Sequence, residues 1–336
     1  MSKLTIAGQD IYPGERRKFS MKIAKLYDFT DMHMPVAVIR GQEDGPTLFV
    51  SAAIHGDEIN GVDIIRRLLK RKAMRELRGT LIAIPIVNVF GFNDKSRYLP
   101  DRRDLNRSFP GEKHGSLASQ IAYIFRKEIV EQSTHGIDLH TGAIHRCNLP
   151  QIRADLTMPE NLVLSKVFGA PVILNAGARD GSLREMVQNK RIPMLLYEAG
   201  TALRFDTKAA KVGADGIIEV MRAIGMLPQI EATAPAKSPY IAKSSHWVRS
   251  PQSGIFLAHK RLGELVHKED TLGVITNPFG DQETRILSPY EGIIIGNSIL
   301  PLANEGDGLF HIATFEADTY VTQEEIYPYI DGEPIV

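Results

Sequence analysis

The sequence predicts an α/β fold, with helices packed on a sheet, followed by a smaller all-β unit. Three observations predict it. From about Met34 to Ile224, strand-like apolar runs alternate with segments whose apolar residues recur at helical spacing. The segment Leu227-Pro228-Gln229 to Pro239 then breaks this rhythm with prolines and small residues. Beyond it, short apolar runs alternate with glycine and acidic turn residues, without helical periodicity.

Taken in order, the expected strands are Met34 to Arg40, Leu48 to Ile54, Leu81 to Val89, Ile137 to His140, Val172 to Leu174 and Met194 to Tyr197. Glu58 to Arg71 carries Ile59, Val62, Ile65, Leu68 and Leu69 on one helical face, which places Glu58 in the first turn. Ser116 to Glu131 aligns Leu117, Ile121, Ile124, Phe125 and Ile129 in the same way. Gly181-Ser182-Leu183-Arg184-Glu185 reads as a loop entering a helix. The domain limits expected are 1–227 for the α/β unit, 228–246 for a linker and 247–336 for the β unit. Within the last, Gly254-Ile255-Phe256-Leu257 recurs as Gly292-Ile293-Ile294-Ile295, and Val266 to Ile275 is echoed by Leu302 to Ile312. This repeat resembles the biotinyl/lipoyl-like barrel sandwich over about Trp247 to Ala313, although no lysine stands in a carrier hairpin. Thr314 to Val336 has no assignment.

Composition narrows the function. With 43% apolar and 24% charged residues the 336-residue chain is an ordinary globular protein. Forty basic side chains balance forty acidic ones and no long basic run occurs, so neither nucleic acid nor a membrane surface is expected as partner. The single cysteine, Cys147, excludes an internal disulfide. The start Met-Ser-Lys-Leu-Thr-Ile-Ala lacks the apolar core of a signal peptide, and the apolar stretch Leu81 to Phe90 is too short to span a bilayer. A cytoplasmic protein is expected, with a homo-oligomer left open.

The chemistry concentrates in a few places. His55 and Glu58 form one H-x-x-E step, and His140 follows downstream, each histidine at the end of an apolar run. Two histidines and a carboxylate are the ligand set of a catalytic zinc site, which keeps a fourth position open. Strand ends are where open α/β sheets carry their chemistry. Polar groups also gather in Asp104-Leu105-Asn106-Arg107-Ser108-Phe109-Pro110-Gly111, in Asp138-Leu139-His140-Thr141-Gly142 and in Tyr197-Glu198-Ala199-Gly200. Asp138, two positions before His140, faces the same side of a strand and either orients that ligand or caps a neighbouring helix.

The order H-G-D-E, D-L-N-R-x-F-P-G, D-L-H-T-G and Y-E-A-G resembles the succinylglutamate desuccinylase/aspartoacylase family of the zinc carboxypeptidase superfamily, over roughly Pro35 to Ile224. The resemblance implies a mixed central sheet flanked by helices, zinc carboxypeptidase-like, and a C-terminal β domain. It implies one Zn²⁺ held by His55, Glu58 and His140, with Glu198 as general base. It further implies that Asn106 and Arg107 grip a substrate carboxylate and that Arg97 polarises the scissile carbonyl, with Arg102 and Arg103 as rivals for that place. Arginine suits both tasks, being always charged and presenting a planar fork. The expected function is a zinc-dependent amidohydrolase that deacylates a small N-acyl amino acid or N-acyl amine. A metallocarboxypeptidase acting on peptides and a non-catalytic metal-binding or scaffold protein are the alternatives. For a second anionic group of the substrate the candidates are Arg153, Arg179, Arg184 and Arg191, and the β unit is expected to restrict entry to small molecules.

Overall fold

The computed structural model describes residues 3–230, 238–316, 319 and 321–330. Its spine is one mixed sheet. From one edge the strands run Arg16–Lys25, Asp31–Arg40, Thr80–Ile84, Thr47–Ala52, His135–Gly142, Met194–Thr201 and Arg146–Ala154. Thr80–Ile84, Thr47–Ala52, His135–Gly142 and Met194–Thr201 are mutually parallel, and the flanking strands are antiparallel. The parallel centre is apolar on both faces because both are covered. Leu48, Val50, Leu81 and Ala83 point into one core with the helices Asn60–Leu68, Pro159–Phe168 and Thr207–Ala223. Phe49, Ile82 and Ile84 point into the other, with the helix Leu117–Glu128 and the N-terminal strands. This alternation is the period of two expected of a strand.

Several expected bounds move. The strand expected over Leu81 to Val89 ends at Ile84, because Asn88 turns the chain and caps the helix Val89–Asp94 by accepting from Gly91 N at 2.8 Å. The helix expected from Glu58 begins at Asn60, so Glu58 sits in a turn closed by its own N–H on His55 O at 3.1 Å. Ser116 caps the helix after it, and Ser182 caps Leu183–Asn189, the helix foreseen after Gly181.

The strand Arg146–Ala154 is shared by two parts of the molecule. One edge pairs with Met194–Thr201. On the other edge, Gln151–Ala154 pair in parallel with Val172–Asn175, while Arg146, Cys147 and Asn148 pair with Ser298, Asn297 and Gly296 of the C-terminal segment. The sheet therefore continues through Gly292–Ser298 and Gly308–Thr314 to Ser244–Arg249. Tyr240–Ala242, in the stretch expected as linker, adds a parallel strand beside Val172–Leu174.

The internal repeat is visible in the pairing. Gly254–Ala258 pairs with Leu302–Ala303 of the second half, and Gly292–Ser298 pairs with Leu265–Val266 of the first. Each repeat's leading strand also pairs with its own later strand, Thr271–Thr276 or Gly308–Thr314. Among the described residues no helix is long and apolar enough to cross a membrane.

Candidate metal centre and its cleft

His55, Glu58 and His140 come together at the C-terminal ends of the parallel strands, all buried, with one ligand atom from each lying within 4.8 Å of the others. The chain leaves Thr47–Ala52, passes Ala53 in the left-handed region at φ 50°, and turns into His55-Gly56-Asp57-Glu58. Gly56 is required there, since a Cβ would lie 2.0 Å from Gly91 C of the adjoining helix. His140 and Asp138 share one face of their strand, and Leu196 and Glu198 share the same face of the next. Tyr197 points the opposite way, where its hydroxyl donates to Ala209 O at 2.7 Å.

Each histidine is fixed from behind. His55 Nε2 lies 3.1 Å from Asp104 Oδ1, and His140 Nε2 lies 2.8 Å from Asp138 Oδ2. Asp138 also accepts from Ser51 Oγ at 2.7 Å, so its two oxygens meet His140 and a neighbouring strand, and among the described residues no helix cap is made by it. Both Nδ1 atoms face Glu58, His55 at 2.8 Å from Oε1 and His140 at 2.8 Å from Oε2. Each imidazole thus has a carboxylate oxygen beside both of its nitrogens, an arrangement that favours positive charge on or between the rings. The same carboxylates shift the titration of both rings. Burial pulls the His140 imidazole down, but Asp138 and Glu58 outweigh it and raise it to about 10. Burial likewise acts against His55, which Glu58 and the Asp104 hydrogen bond raise. Glu58 is pushed up by burial and held well below the usual carboxylate range by the two histidines. Two imidazole nitrogens and a carboxylate, each backed by a hydrogen-bond partner, fit a divalent zinc ion.

The cleft around this group has a volume of about 290 Å³. Arg97 reaches Glu58 Oε1 and Asp104 Oδ2, each at 3.1 Å. Arg102 and Arg103 are exposed and do not line the cleft. Asn106 is buried, its Oδ1 accepting from Leu183 N at 2.9 Å, which leaves Nδ2 for another partner. Arg107 lines the cleft and donates to Asn106 O, with no ion pair to a carboxylate among the described residues. Burial lowers the Arg107 guanidinium, aided by the nearby Arg179 and Arg97. Glu198 faces the same cleft from the strand beside that of His140, with which it pairs in register. Asn148 Nδ2 donates to its Oε1 at 2.6 Å, and Arg153 Nε lies 2.7 Å from its Oε2.

Of the candidates for a second anion, Arg153, Arg179 and Arg184 line the cleft and Arg191 does not. Arg184 is anchored by Ala176 O at 2.7 Å and Gly177 O at 2.8 Å. Burial beside Arg153 and Arg179 lowers its guanidinium to about 10. Three contributors were not legible beforehand: Arg146, Asn148 and Trp247. Trp247 comes from the C-terminal segment and stacks between Arg146, 4.7 Å from its ring, and His311, 4.7 Å away at 7°. Cys147 stands outside the ligand group.

A helix-flanked mixed sheet with a two-histidine, one-carboxylate cluster at its parallel strand ends defines an α/β architecture with a candidate metal centre. A model of the succinylglutamate desuccinylase/aspartoacylase catalytic domain matches residues 44–224, and the chain belongs to that family. The N-alpha-acetyl-L-2,4-diaminobutyric acid deacetylase of Halomonas elongata is 36% identical over 303 residues, covering 83% of this chain and 85% of its own length. A succinylglutamate desuccinylase/aspartoacylase from Rhodobacter sphaeroides has a similar fold, with a TM-score of 0.80 and 23% identity over 89% of this chain and 96% of its own. So does the product-bound ectoine utilization protein EutE (DoeB) from Ruegeria pomeroyi, with a TM-score of 0.81 and 23% identity over 90% and 97%.

Proposed function

We propose that the protein is a zinc-dependent deacylase that cleaves the amide bond of a small N-acyl amino acid. The observation that carries the reading is the convergence of both histidine Nδ1 atoms on the two oxygens of Glu58, in one cleft with the carboxylate of Glu198. Zinc bound by His55, Glu58 and His140 would supply Lewis acidity, lowering the pKa of a water from about 15.7 toward about 7. The remaining work falls to the chain's own groups. Glu198 takes the proton of the attacking water and passes it to the leaving nitrogen, which an amide needs before it departs. Arg97, beside Glu58, is placed to meet the developing charge on the carbonyl oxygen. Asn106 Nδ2 and the Arg107 guanidinium hold the carboxylate of the substrate.

The deacetylase relative supports an N-acyl amino acid as substrate. The cleft supports an anionic one, since six arginines line it against the carboxylates of Glu58, Asp138 and Glu198. Trp247 supports a small one, because the C-terminal segment puts an indole into the cleft wall where a peptide substrate needs an open groove. We read that segment as a biotinyl/lipoyl-like barrel sandwich, on the reciprocal pairing of its two repeats.

The test is a substrate panel with the zinc-loaded protein: Nα-acetyl-L-2,4-diaminobutyrate, N-acetyl-L-aspartate, N-succinyl-L-glutamate and short peptides with free C-termini. Release of the free amine from at least one N-acyl amino acid is expected. Faster release of amino acids from the peptides, or hydrolysis of no member of the panel, overturns the reading.

A further inference from the structure

We propose that the C-terminal β segment positions Glu198 through Asn148, and that Gly296 is the residue that makes this contact possible. The inference rests on the reading of Glu198 as the base. Asn148 is buried at 5% exposure on the strand shared by the two parts of the molecule. On the catalytic side the register is irregular between Glu198, which pairs with Gln151, and Gly200, which pairs with Asn148. Asn148 therefore reaches Glu198 diagonally, and its Nδ2 donates to Oε1 at 2.6 Å. With Arg153 Nε 2.7 Å from Oε2, both oxygens of the carboxylate are held from a single strand.

On its other side Asn148 pairs with Gly296. A Cβ at Gly296 would lie 2.7 Å from Asn148 Oδ1 and 3.2 Å from His311 Cβ. The backbone there is not in the left-handed region, so glycine is required for space rather than for conformation. The amide of Asn148 is thus wedged: its oxygen rests against Gly296 while its nitrogen aims at Glu198. A side chain at 296 displaces the oxygen and swings the nitrogen away. A second tie keeps the two strands in place, as Gln151 Nε2 donates to Ile295 O at 3.2 Å. Gly296 itself does not line the cleft, so any effect it has on turnover must travel through a neighbour. Asn148 and Gly296 are positioning residues.

The experiment is a double-mutant cycle on kcat and KM with the substrate that the panel identifies, alongside zinc content and thermal midpoint. Gly296→Ala and Asn148→Ala are each expected to lower kcat about tenfold, the scale of one lost hydrogen bond to a charged group, with KM within about twofold and zinc retained. The double variant should be no worse than Asn148→Ala alone, because the severest contact of the methyl is with that amide. Multiplying losses in the double variant, or wild-type kcat in Gly296→Ala, overturn the proposal. Asn148→Asp keeps the shape and sets an acceptor against Glu198, so it serves should Gly296→Ala fail to fold. It should lose more kcat than Asn148→Ala, and wild-type turnover there also overturns the proposal. Glu198→Gln separates the two readings: full activity in that variant removes the base assignment, whatever the cycle at 148 and 296 gives.

Discussion

The two walls of the cleft are built by opposite means. The wall of the candidate metal ligands His55, Glu58 and His140, with Asp104 and Asp138 behind them, is short-armed and mostly buried, and every imidazole nitrogen has a carboxylate beside it. The arginine-lined wall carries Arg107, Arg146, Arg153, Arg179 and Arg184, long side chains from loops, from the shared strand and from the helix Leu183–Asn189, several held only by backbone carbonyls or by a ring face. The difference teaches where precision is needed. A metal ion tolerates little error in its ligands, whereas a substrate anion can be met by guanidinium groups that adjust.

The largest effects should therefore come from the first wall and from Glu198, which pairs beside His140. His140→Ala is expected to lose bound zinc, read by elemental analysis, together with all measurable turnover. Unchanged metal content would remove the assignment of the whole wall. Glu198→Gln should keep zinc and lower kcat by roughly 10²- to 10⁴-fold, the usual worth of a general base. Asp138→Asn should weaken zinc affinity by about 10- to 100-fold while leaving a folded protein, as measured by competition with a chelator. For the second wall the effect is smaller and of another kind: Arg107→Ala should raise KM more than it lowers kcat, since the grip on a spectator carboxylate is alike in ground and transition states. A kcat defect of the same size would blur the contrast between the walls.

The smallest expected effect concerns pH and lies beneath Trp247. His311 is buried at 5% exposure with no partner for Nδ1. Burial, and then the charges of Arg153, His246 and Arg146, lower it to about 3. The folded protein keeps it neutral, while an unfolded imidazole titrates near about 6.5. Its stabilising contribution is thus complete above about pH 6.5 and is lost as pH falls toward about 3. His311→Phe, which keeps a ring under the indole, should flatten the fall of the thermal midpoint over that acid range. An unaltered slope would place the acid sensitivity elsewhere.

Legibility in the sequence follows the same division. The ligand wall could be read because consecutive apolar runs end at His55 and His140, and because Asp138 lies at strand spacing from His140. The start of the helix that follows His55 was placed two residues early, at Glu58, since Ile59 and Val62 continue the apolar period although the helix starts at Asn60. The strand Arg146–Ala154 was not read. It carries Arg146 at its start, Arg153 near its end and Pro150 inside, features that argue against a central strand, and Asn148 and Gln151 bond to residues remote in the chain. The N-terminal strand Arg16–Lys25 escaped for a related reason: as an edge strand it alternates charged residues with few apolar ones, Met21 and Ile23 among them. Trp247 gave no local sign of facing a cleft, because its place depends on pairing opposite His311.

The continuity of the sheet through Arg146–Ala154 also limits how this molecule can be cut and recombined. Ending the chain after the α/β part would strip the partners from Arg146, Cys147 and Asn148, leaving bare N–H and C=O groups beside the cleft. Such an edge recruits strands from other molecules, so the fragment's failure would show as aggregation before it showed as altered chemistry. A chimaera with the C-terminal part of a relative would escape this only if the incoming strand kept the register that sets a glycine opposite Asn148.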